Sequence, residues 1–389
     1  MRRYKWSEKG KGRKIGRLGK YCLYENEITE EACDVERPKR GDAYGSFRFV
    51  YGPSSGGLLE SIKFDIITDG ERVLYIDATP FKDRVIKVKG LTVGDAIMRI
   101  ERINAPFSAS HTLSFLMSVE DALDIDPEYQ VQLRRIVEME LERIRNHLFV
   151  ISRLTEMASL SVPTYDLLSL VEDINRVIGN ACGHRYFFGV NEVNTVNCDF
   201  EGVGKRVEKV ENKFKEIFEG LLESRIFIDR LQSNGKLKDE MSIGPAARAS
   251  GFAYDARADS AYLPYKDFGF EVITREEGDA FGRFLVRGYE VLESSRLIQE
   301  IVNSLRDLVG GYTLRGGGEG LARVESPSGD LAYYVKVNDG VINEVFFLYP
   351  SYVNLNLFLK SVTGTIFTDF PFNWESFGIW VSEIGVRLC

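Results

Sequence analysis

A long helical pattern in the middle of the chain limits most strongly what this sequence can fold into. It covers residues 127–160, and Pro127 suits the first turn of a helix. Apolar residues recur along it at helical spacing, on one stripe that includes Leu133, Ile144 and Ile151. Further helices are predicted to begin at Thr92 and to cover residues 164–180, 205–222, 276–308 and 354–360. The pattern indicates a central bundle of long helices.

Charged residues interrupt this apolar stripe. Glu140, Arg143 and His147 lie at i, i+3 and i+7, so they share one face of the helix with the apolar residues. Ionised groups on an inward face are costly unless they are paired. Two interpretations stay open: a buried ladder that carries protons or couples a redox event to other subunits, or an ion-pair network that fixes helix packing.

Strand patterns are predicted near both ends of the chain. Residues 46–90 alternate between apolar and polar side chains and turn at residues 68–71. Runs at 332–337 and 341–348 flank a turn at 338–340, and the glycine-rich run 316–320 is predicted to be a loop because it lacks the ending of a phosphate-binding loop. The predicted class is α+β. The predicted divisions are a basic N-terminal arm (1–45), a small β-subdomain (46–90) and a helical-bundle core with a C-terminal hairpin (91–389).

Composition excludes several classes of protein. The chain has 389 residues, 44% of them hydrophobic and 28% charged, which is typical of a globular protein with a large core. No apolar run reaches the length that crosses a bilayer, and no secretory signal is expected, because the N-terminal residues lack the apolar segment of one. The five cysteines lack C-x-x-C spacing, so they are predicted to be reduced thiols and not a disulfide framework.

The first twenty residues carry nine Lys or Arg against the single acid Glu8. Such a segment can bind an anionic membrane surface or an acidic partner, or it can be a solvated tail. Nucleic-acid binding is disfavoured because no nucleic-acid-binding motif accompanies the charge.

Six short motifs follow one another in a fixed order, at residues 52–64, 140–148, 183–191, 244–251, 278–294 and 350–355. They resemble segments of [NiFe]-hydrogenase large subunits and of the 49 kDa subunit of respiratory complex I. The motif sequences are most similar to those of energy-converting, hydrogenase-related membrane complexes. The resemblance implies the large-subunit fold.

Two further runs match the metal-binding motifs of this family, but without the ligands. Residues 102–111 follow R-I-C-G-I-C-S-x-S-H, with Asn104 and Phe107 at the cysteine positions. Residues 376–383 follow S-x-D-P-C-x-x-C, with Trp380 and Glu383 in place of the second pair. A nickel–iron centre requires soft thiolate ligands. No metal is therefore expected in this chain, and a hydrogenase role is excluded.

The resemblance also places candidate residues around an electron acceptor. Ser54 and Ser55 occupy the hairpin loop where complex I has a quinone-binding His, and Ala105 stands where a Tyr would align. Serine hydroxyls donate hydrogen bonds but do not deliver protons as His does. Asp83, Arg84 and His111 are the predicted catalytic residues, through charge stabilisation and proton supply. The predicted substrate-binding residues are Ser54, Ser55, Asn104, Phe107, Trp380 and Glu383.

The resemblance implies a peripheral subunit at the cytoplasmic face of the cell membrane. The expected partners are a B-like iron–sulfur small subunit with a [4Fe–4S] cluster, a C-like subunit and membrane-arm subunits, with a quinone as one candidate acceptor. The complex would transfer electrons from NADH or ferredoxin and pump ions. Two alternatives stay open: a scaffold whose cavity is filled by Phe107 and Trp380, and an independent soluble enzyme, which is disfavoured because no catalytic cluster is visible.

Overall fold

The computed structural model describes residues 5–31, 33, 44–55, 58–80, 83–258, 263–308 and 314–389. The helices of this part are α1 (Val93–Ile100), α2 (Ser108–Ala122), α3 (Tyr129–Met157), α4 (Ser161–Cys182), α5 (Val203–Glu223), α6 (Arg225–Leu231), α7 (Gly244–Arg248), α8 (Ala280–Val302), α9 (Pro350–Val362), α10 (Phe370–Phe377) and α11 (Val381–Ile384). The strands are β1 (Lys5–Trp6), β2 (Lys14–Leu18), β3 (Tyr21–Tyr24), β4 (Glu27–Thr29), β5 (Phe47–Tyr51), β6 (Ile62–Thr68), β7 (Val73–Pro80), β8 (Arg84–Ile86), β9 (Asn191–Glu192), β10 (Thr195–Val196), β11 (Gly317–Ser326), β12 (Gly329–Asn338), β13 (Val341–Leu348) and β14 (Val386–Leu388).

The predicted bundle of long helices is confirmed, with α3 at its centre. This helix packs against α2, α4, α8 and α10, and α5 covers α4 and α8. Residues 135–148 are buried without interruption, so α3 is enclosed on every face over almost four turns. The sequence pattern predicted a single apolar stripe. The other faces are buried as well because their charged side chains find partners on neighbouring elements.

The C-terminal sheet has three antiparallel strands in the order β11-β12-β13 and packs on α2. The predicted hairpin is confirmed as β12 and β13. The predicted loop at 316–320 is wrong, because residues 317–320 belong to β11. Glycine is needed there for close packing: a Cβ at Gly318 would lie 2.1 Å from the carbonyl oxygen of Ala122, and one at Gly320 would lie 2.1 Å from that of Ser118.

The N-terminal segment differs from the predicted arm. Residues 5–29 form a four-stranded sheet in the order β1-β4-β3-β2, and β2 lies against β12 and β13. Ile15, Leu18 and Leu23 are fully buried in the main core, while Arg13 stacks over the ring of Tyr254 at 4.0 Å. These strands are only two to five residues long and carry cations on the outward side, which hides their period from sequence inspection. The remainder of the predicted arm, at 1–4, 32 and 34–43, lies outside the described residues.

The predicted small sheet at residues 46–90 is confirmed as β5-β6-β7, with its turn after Thr68. It packs on α9 and α10 around a second core that includes Phe64, Phe358 and Trp374. A separate parallel pair, β8 with β14, brings the C-terminal residues beside the end of this segment. The divisions predicted at residues 45 and 90 remain predictions.

The prediction of five reduced cysteines is wrong for four of them. Disulfides join Cys22 to Cys33 and Cys182 to Cys198, and Cys389 is free and exposed. Sequence separations of 11 and 16 residues carry no recognisable spacing, and the fold alone brings the pairs together. Within the described ranges, no helix is both long and apolar enough to cross a bilayer.

Candidate functional site

The two motif segments that lack cysteines meet in space. Asn104 precedes the short turn that leads into α2, Trp380 immediately precedes α11, and Glu383 lies within α11. The Ser382 hydroxyl donates to the side-chain oxygen of Asn104 over 3.5 Å. The rings of Phe107 and Trp380 meet edge to face with centroids 6.1 Å apart. We call Asn104, Phe107, Trp380 and Glu383 the vestigial centre.

A buried hydrogen-bonded line passes through the vestigial centre. His111 Nε2 lies 3.0 Å from Glu383 Oε1, and His111 Nδ1 lies 2.9 Å from the Tyr333 hydroxyl. The second oxygen of Glu383 accepts from the hydroxyl of Ser351. Burial, and secondarily the charge of Glu383, hold the pKa of Tyr333 well above its ordinary value. Tyr333 therefore keeps its proton and can donate to Nδ1, which leaves Nε2–H to donate to Glu383.

Aromatic rings fill most of the space beside the vestigial centre. Phe149 stacks on Trp380 with centroids 5.7 Å apart, and Phe107 is fully buried. The remaining cavity has a volume of about 20 Å³ and is lined in part by Glu60, Phe149, Glu375 and Trp380. That volume accommodates about one water molecule. Within the part of the chain that the structure describes, the predicted acceptor cavity is almost closed.

Two acids face this cavity, and sequence inspection selected neither. Glu60, in the loop between β5 and β6, accepts the backbone N–H groups of Val381 and Ser382 and so fastens that loop to α11. Burial raises the pKa of Glu60 above its ordinary value. Burial also raises the pKa of Glu375 to about 7, although Arg153 lies 3.1 Å away. Glu60 belongs to the motif at 52–64, which was its only sequence signal.

The other predicted acceptor residues occupy different surroundings. Ser54 is exposed, and Ser55 accepts the backbone N–H of Gly52 over 2.7 Å. Asp83 forms an exposed ion pair with Arg387 and does not join the buried line. Arg84 donates to the carbonyl oxygen of Ile103, so it holds the segment that leads into Asn104. The structure thus brings Arg84 and His111 to the edge of the vestigial centre and leaves Asp83 at the surface.

The predicted charged residues on α3 are fully buried in an ionic network. Arg143 lies 3.1 Å from Glu140, which also accepts from the Tyr265 hydroxyl at 2.7 Å and the Ser294 hydroxyl at 2.5 Å. His147 Nε2 lies 2.7 Å from Glu290. The network extends to α7, α8 and β11, and sequence reasoning did not identify its partner residues as a group because they lie more than 100 positions away. Its acids are Glu140, Asp255, Glu290 and Glu325, and its arginines are Arg143, Arg248, Arg257 and Arg287.

The protonation states in this network follow from burial and neighbouring charge. Burial alone would raise the pKa of Glu290, but Arg248 and Arg257 hold it well below its ordinary value. Burial lowers the pKa of His147 to about 3, against the opposing effect of Glu290. Since Arg287 can only donate, across 3.1 Å to Nδ1, the neutral ring of His147 carries its proton on Nε2 and donates it to Glu290.

Arg287 connects the network to the vestigial centre. Its guanidinium donates to the carbonyl oxygen of Phe377 over 2.8 Å and to that of Ser376 over 3.3 Å. Gly378 follows with a φ of 64°, and a Cβ there would lie 2.6 Å from Arg287 Nη2. The backbone just before Trp380 is therefore positioned by the same arginine that contacts His147.

Comparisons with known proteins place the chain in a class. Residues 167–315 match the family model for the respiratory-chain NADH dehydrogenase 49 Kd subunit, one of the families that the motifs resemble. The structure is similar to a chain of the membrane-bound sulfane sulfur reductase, an archaeal respiratory membrane complex. The TM-score is 0.81 with 23% identity, and the match covers 88% of this chain and 98% of the other. The predicted large-subunit fold is confirmed.

Two curated relatives cover most of their own length in the match. The carbon monoxide-induced hydrogenase of Rhodospirillum rubrum is 27% identical over 350 residues, which is 84% of this chain and 95% of the relative. The second D-type subunit of the NADH-quinone oxidoreductase of Solibacter usitatus is 26% identical over 337 residues, 82% of this chain and 90% of the relative. The chain is thus similar over most of its length both to a hydrogenase and to a D-type subunit of an NADH-quinone oxidoreductase.

The residues of the vestigial centre do not fit a nickel–iron group. They offer an amide, a phenyl ring, an indole and a carboxylate where such a centre requires thiolates. Glu383 is already committed to His111 and Ser351.

Proposed function

We propose that the chain is the D-type, 49 kDa-like member of a membrane-associated respiratory oxidoreductase complex, in which it frames an electron-acceptor site together with an iron–sulfur small subunit. One observation carries the proposal: the two motif segments converge as in a metal-binding large subunit, yet all four ligand positions hold other residues. The chain is similar to these relatives over most of its length, which supports the view that it has kept the surface that contacts partner subunits. In this proposal, an electron acceptor binds where a metal-binding large subunit holds its metal.

Two unpartnered donors support an acceptor at the vestigial centre. Asn104 Nδ2 and Trp380 Nε1 are buried and have no hydrogen-bond partner among the described residues. A buried donor without a partner is costly, which favours a ligand that accepts hydrogen bonds. A quinone carbonyl or a sulfur species has this property. Because the cavity holds only about 20 Å³, the acceptor would enter from the exposed side of Trp380, beside Leu59, where a small subunit would complete the wall.

Coupling to other subunits would use the ionic network. A negative charge arriving near Trp380 acts on the carbonyl groups that Arg287 holds, and Arg287 contacts His147, which in turn contacts Glu290. In a buried, low-dielectric setting such a charge is felt over several residues. The network supplies a route by which reduction of the acceptor biases proton positions towards a membrane arm and so drives ion translocation.

The alternative is a scaffold whose centre is permanently filled. The full burial of Phe107 and the stack of Phe149 on Trp380 favour it. In that case the two unpartnered donors would have no catalytic role, and the electron acceptor would bind elsewhere in the complex.

The test is purification of the tagged chain from solubilised membranes of its native host. The proposal predicts a co-purifying small subunit, an electron paramagnetic resonance signal of a [4Fe–4S] cluster on reduction, and nickel below a tenth of the chain concentration. A chain that elutes from the membrane extract as a free monomer, or one with stoichiometric nickel, would refute it.

A further inference from the structure

A cluster of metal-binding side chains lies away from the vestigial centre, where α3, α4 and the β9-β10 hairpin meet. Glu138 lies in the first half of α3, Cys182 ends α4, and Cys198 follows β10. One ligand atom from each lies within 4.8 Å of the other two. The Cys198 sulfur is 3.5 Å from Glu138 Oε1.

Glu138 lacks the cation that a buried carboxylate normally has. It is fully buried, and among the described residues no Lys or Arg forms an ion pair with it. The nearest arginine in sequence, Arg135, gives both terminal nitrogens to Glu120 at 2.7 and 2.6 Å. An unpaired buried carboxylate is costly, so a positive charge at this position would be stabilising.

Asn191 supplies a fourth ligand-capable group. Its side chain is 98% buried, since only 2% is exposed, and its Nδ2 donates to Glu138 over 2.8 Å. Its Oδ1 is buried and has no partner in the described part of the chain. Rotation of the amide by half a turn would direct this oxygen at the point that the carboxylate and the two sulfurs surround.

We propose that the reduced Cys182–Cys198 pair, with Glu138 and Asn191, binds a zinc ion. A dithiol reductant opens the disulfide by giving it two electrons and two protons, and is itself oxidised to a disulfide. Zinc then displaces both thiol protons to solvent and binds two thiolates. Two thiolates and one carboxylate carry three negative charges, and the ion reduces this to one.

Two thiolates with oxygen ligands suit zinc by chemistry and by geometry. Thiolate softness selects zinc over magnesium or calcium, and four protein ligands make a closed, structural type of site. Zinc–sulfur bonds of about 2.3 Å in a tetrahedron place the two sulfurs about 3.8 Å apart. A side-chain rotation supplies that separation, since Cys182 and Cys198 have Cα atoms 4.3 Å apart.

The metal would hold the same junction that the disulfide holds. Asp199 N–H donates to the carbonyl oxygen of Ala181 over 2.8 Å, so the segment after β10 already lies on the end of α4. In a reducing compartment the disulfide would be lost, and zinc would replace it as the link between this segment and α3.

The test is zinc binding by the full chain, reduced with a phosphine, stripped with a chelator and loaded with zinc chloride. We expect about one zinc per chain after gel filtration, none in chain oxidised with diamide, and loss of binding in Cys182→Ser and Cys198→Ser. Cys389→Ser is the matched control and should keep the metal, because that thiol is exposed and remote. Cys22→Ser should keep it too. Glu138→Gln should raise the Kd at least about tenfold.

Cobalt keeps the test decisive if the cysteine variants fail to fold. Cobalt added to the reduced natural chain should give thiolate-to-cobalt charge-transfer absorption, and zinc should abolish it. Absence of that band, or equal zinc content in the reduced and oxidised natural chain, would overturn the proposal. An unchanged Kd in Glu138→Gln would overturn the four-ligand site.

Discussion

His147 offers the sharpest test of the buried ionic network. Its ring lies between the Arg287 guanidinium and the Glu290 carboxylate, and its side chain is fully buried. Burial lowers its pKa to about 3, which predicts that the ring stays neutral in the folded protein at pH 5. In the unfolded chain the same ring titrates at about 6.5.

The sign and size of the pH effect follow from these two values. The folded pKa lies below the unfolded one, so His147 contributes stability that is complete above pH 6.5 and is lost as the pH falls from about 6.5 towards about 3. The full range corresponds to about 5 kcal/mol, at 1.36 kcal/mol per pKa unit. Between pH 8 and pH 5 the loss is about 2 kcal/mol.

The assay is urea unfolding of the natural chain and of His147→Gln at pH 8 and pH 5. A Gln amide can donate to Glu290 and does not titrate, so the variant should lose about 2 kcal/mol less than the natural chain between the two values. Carbon-13 histidine spectra, assigned with variants of each of the three histidines, should show the Nε2–H form of His147 down to pH 5. Equal pH dependence in both chains, or a His147 ring that titrates near 6.5, would refute the account of this network.

Three further predictions concern packing, charge and the acceptor. Gly320→Ala should destabilise the chain by about 1–3 kcal/mol, because its Cβ would overlap the carbonyl oxygen of Ser118. Gly94 lies in α1 with open space around it, so Gly94→Ala should instead stabilise the chain by up to about 1 kcal/mol. Unfolding midpoints that are the same in the two glycine variants would contradict these two expectations. Arg287→Met should cost about 3–5 kcal/mol in unfolding measurements, since it leaves the network with an unbalanced buried charge; a cost below about 1 kcal/mol would exclude a charged role. Trp380→Phe keeps an aromatic ring at this position and removes the unpartnered N–H donor, so acceptor turnover by the purified complex should fall about 2- to 10-fold at unchanged assembly. Unchanged turnover would favour the scaffold.

Some features of the fold could be predicted from the sequence and others could not, for physical reasons. The helix α3 could be predicted because its apolar residues repeat at 3.6-residue spacing over many turns. Its enclosure on all faces could not, since Glu290, the partner of His147, and Arg257, a second partner of Glu140, lie more than 100 residues away in sequence. Sequence periodicity shows which residues share a face of the helix, but not which residues from distant parts of the chain pack against that face.

The sequence indicated which residues would lie near the candidate site, but not the hydrogen bonds that connect them. The motif frames selected Asn104, Phe107, Trp380 and Glu383, and the fold brings these four residues together. Their role in binding a substrate stays a prediction. The link from Glu383 through His111 to Tyr333 spans strands and helices far apart in sequence, so no local pattern indicates it. The short strands β1–β4 and the two cysteine pairs were missed because neither has a periodic or spacing signature of its own.

A structure of the complex isolated from membranes would test the central claim most directly, at the vestigial centre. The account predicts an iron–sulfur small subunit packed beside Trp380, no metal among the four ligand positions, and an acceptor or its analogue within hydrogen-bond distance of Trp380 Nε1 and Asn104 Nδ2. A metal bound at Asn104 and Glu383, or a small subunit seated on another face of the chain, would contradict it.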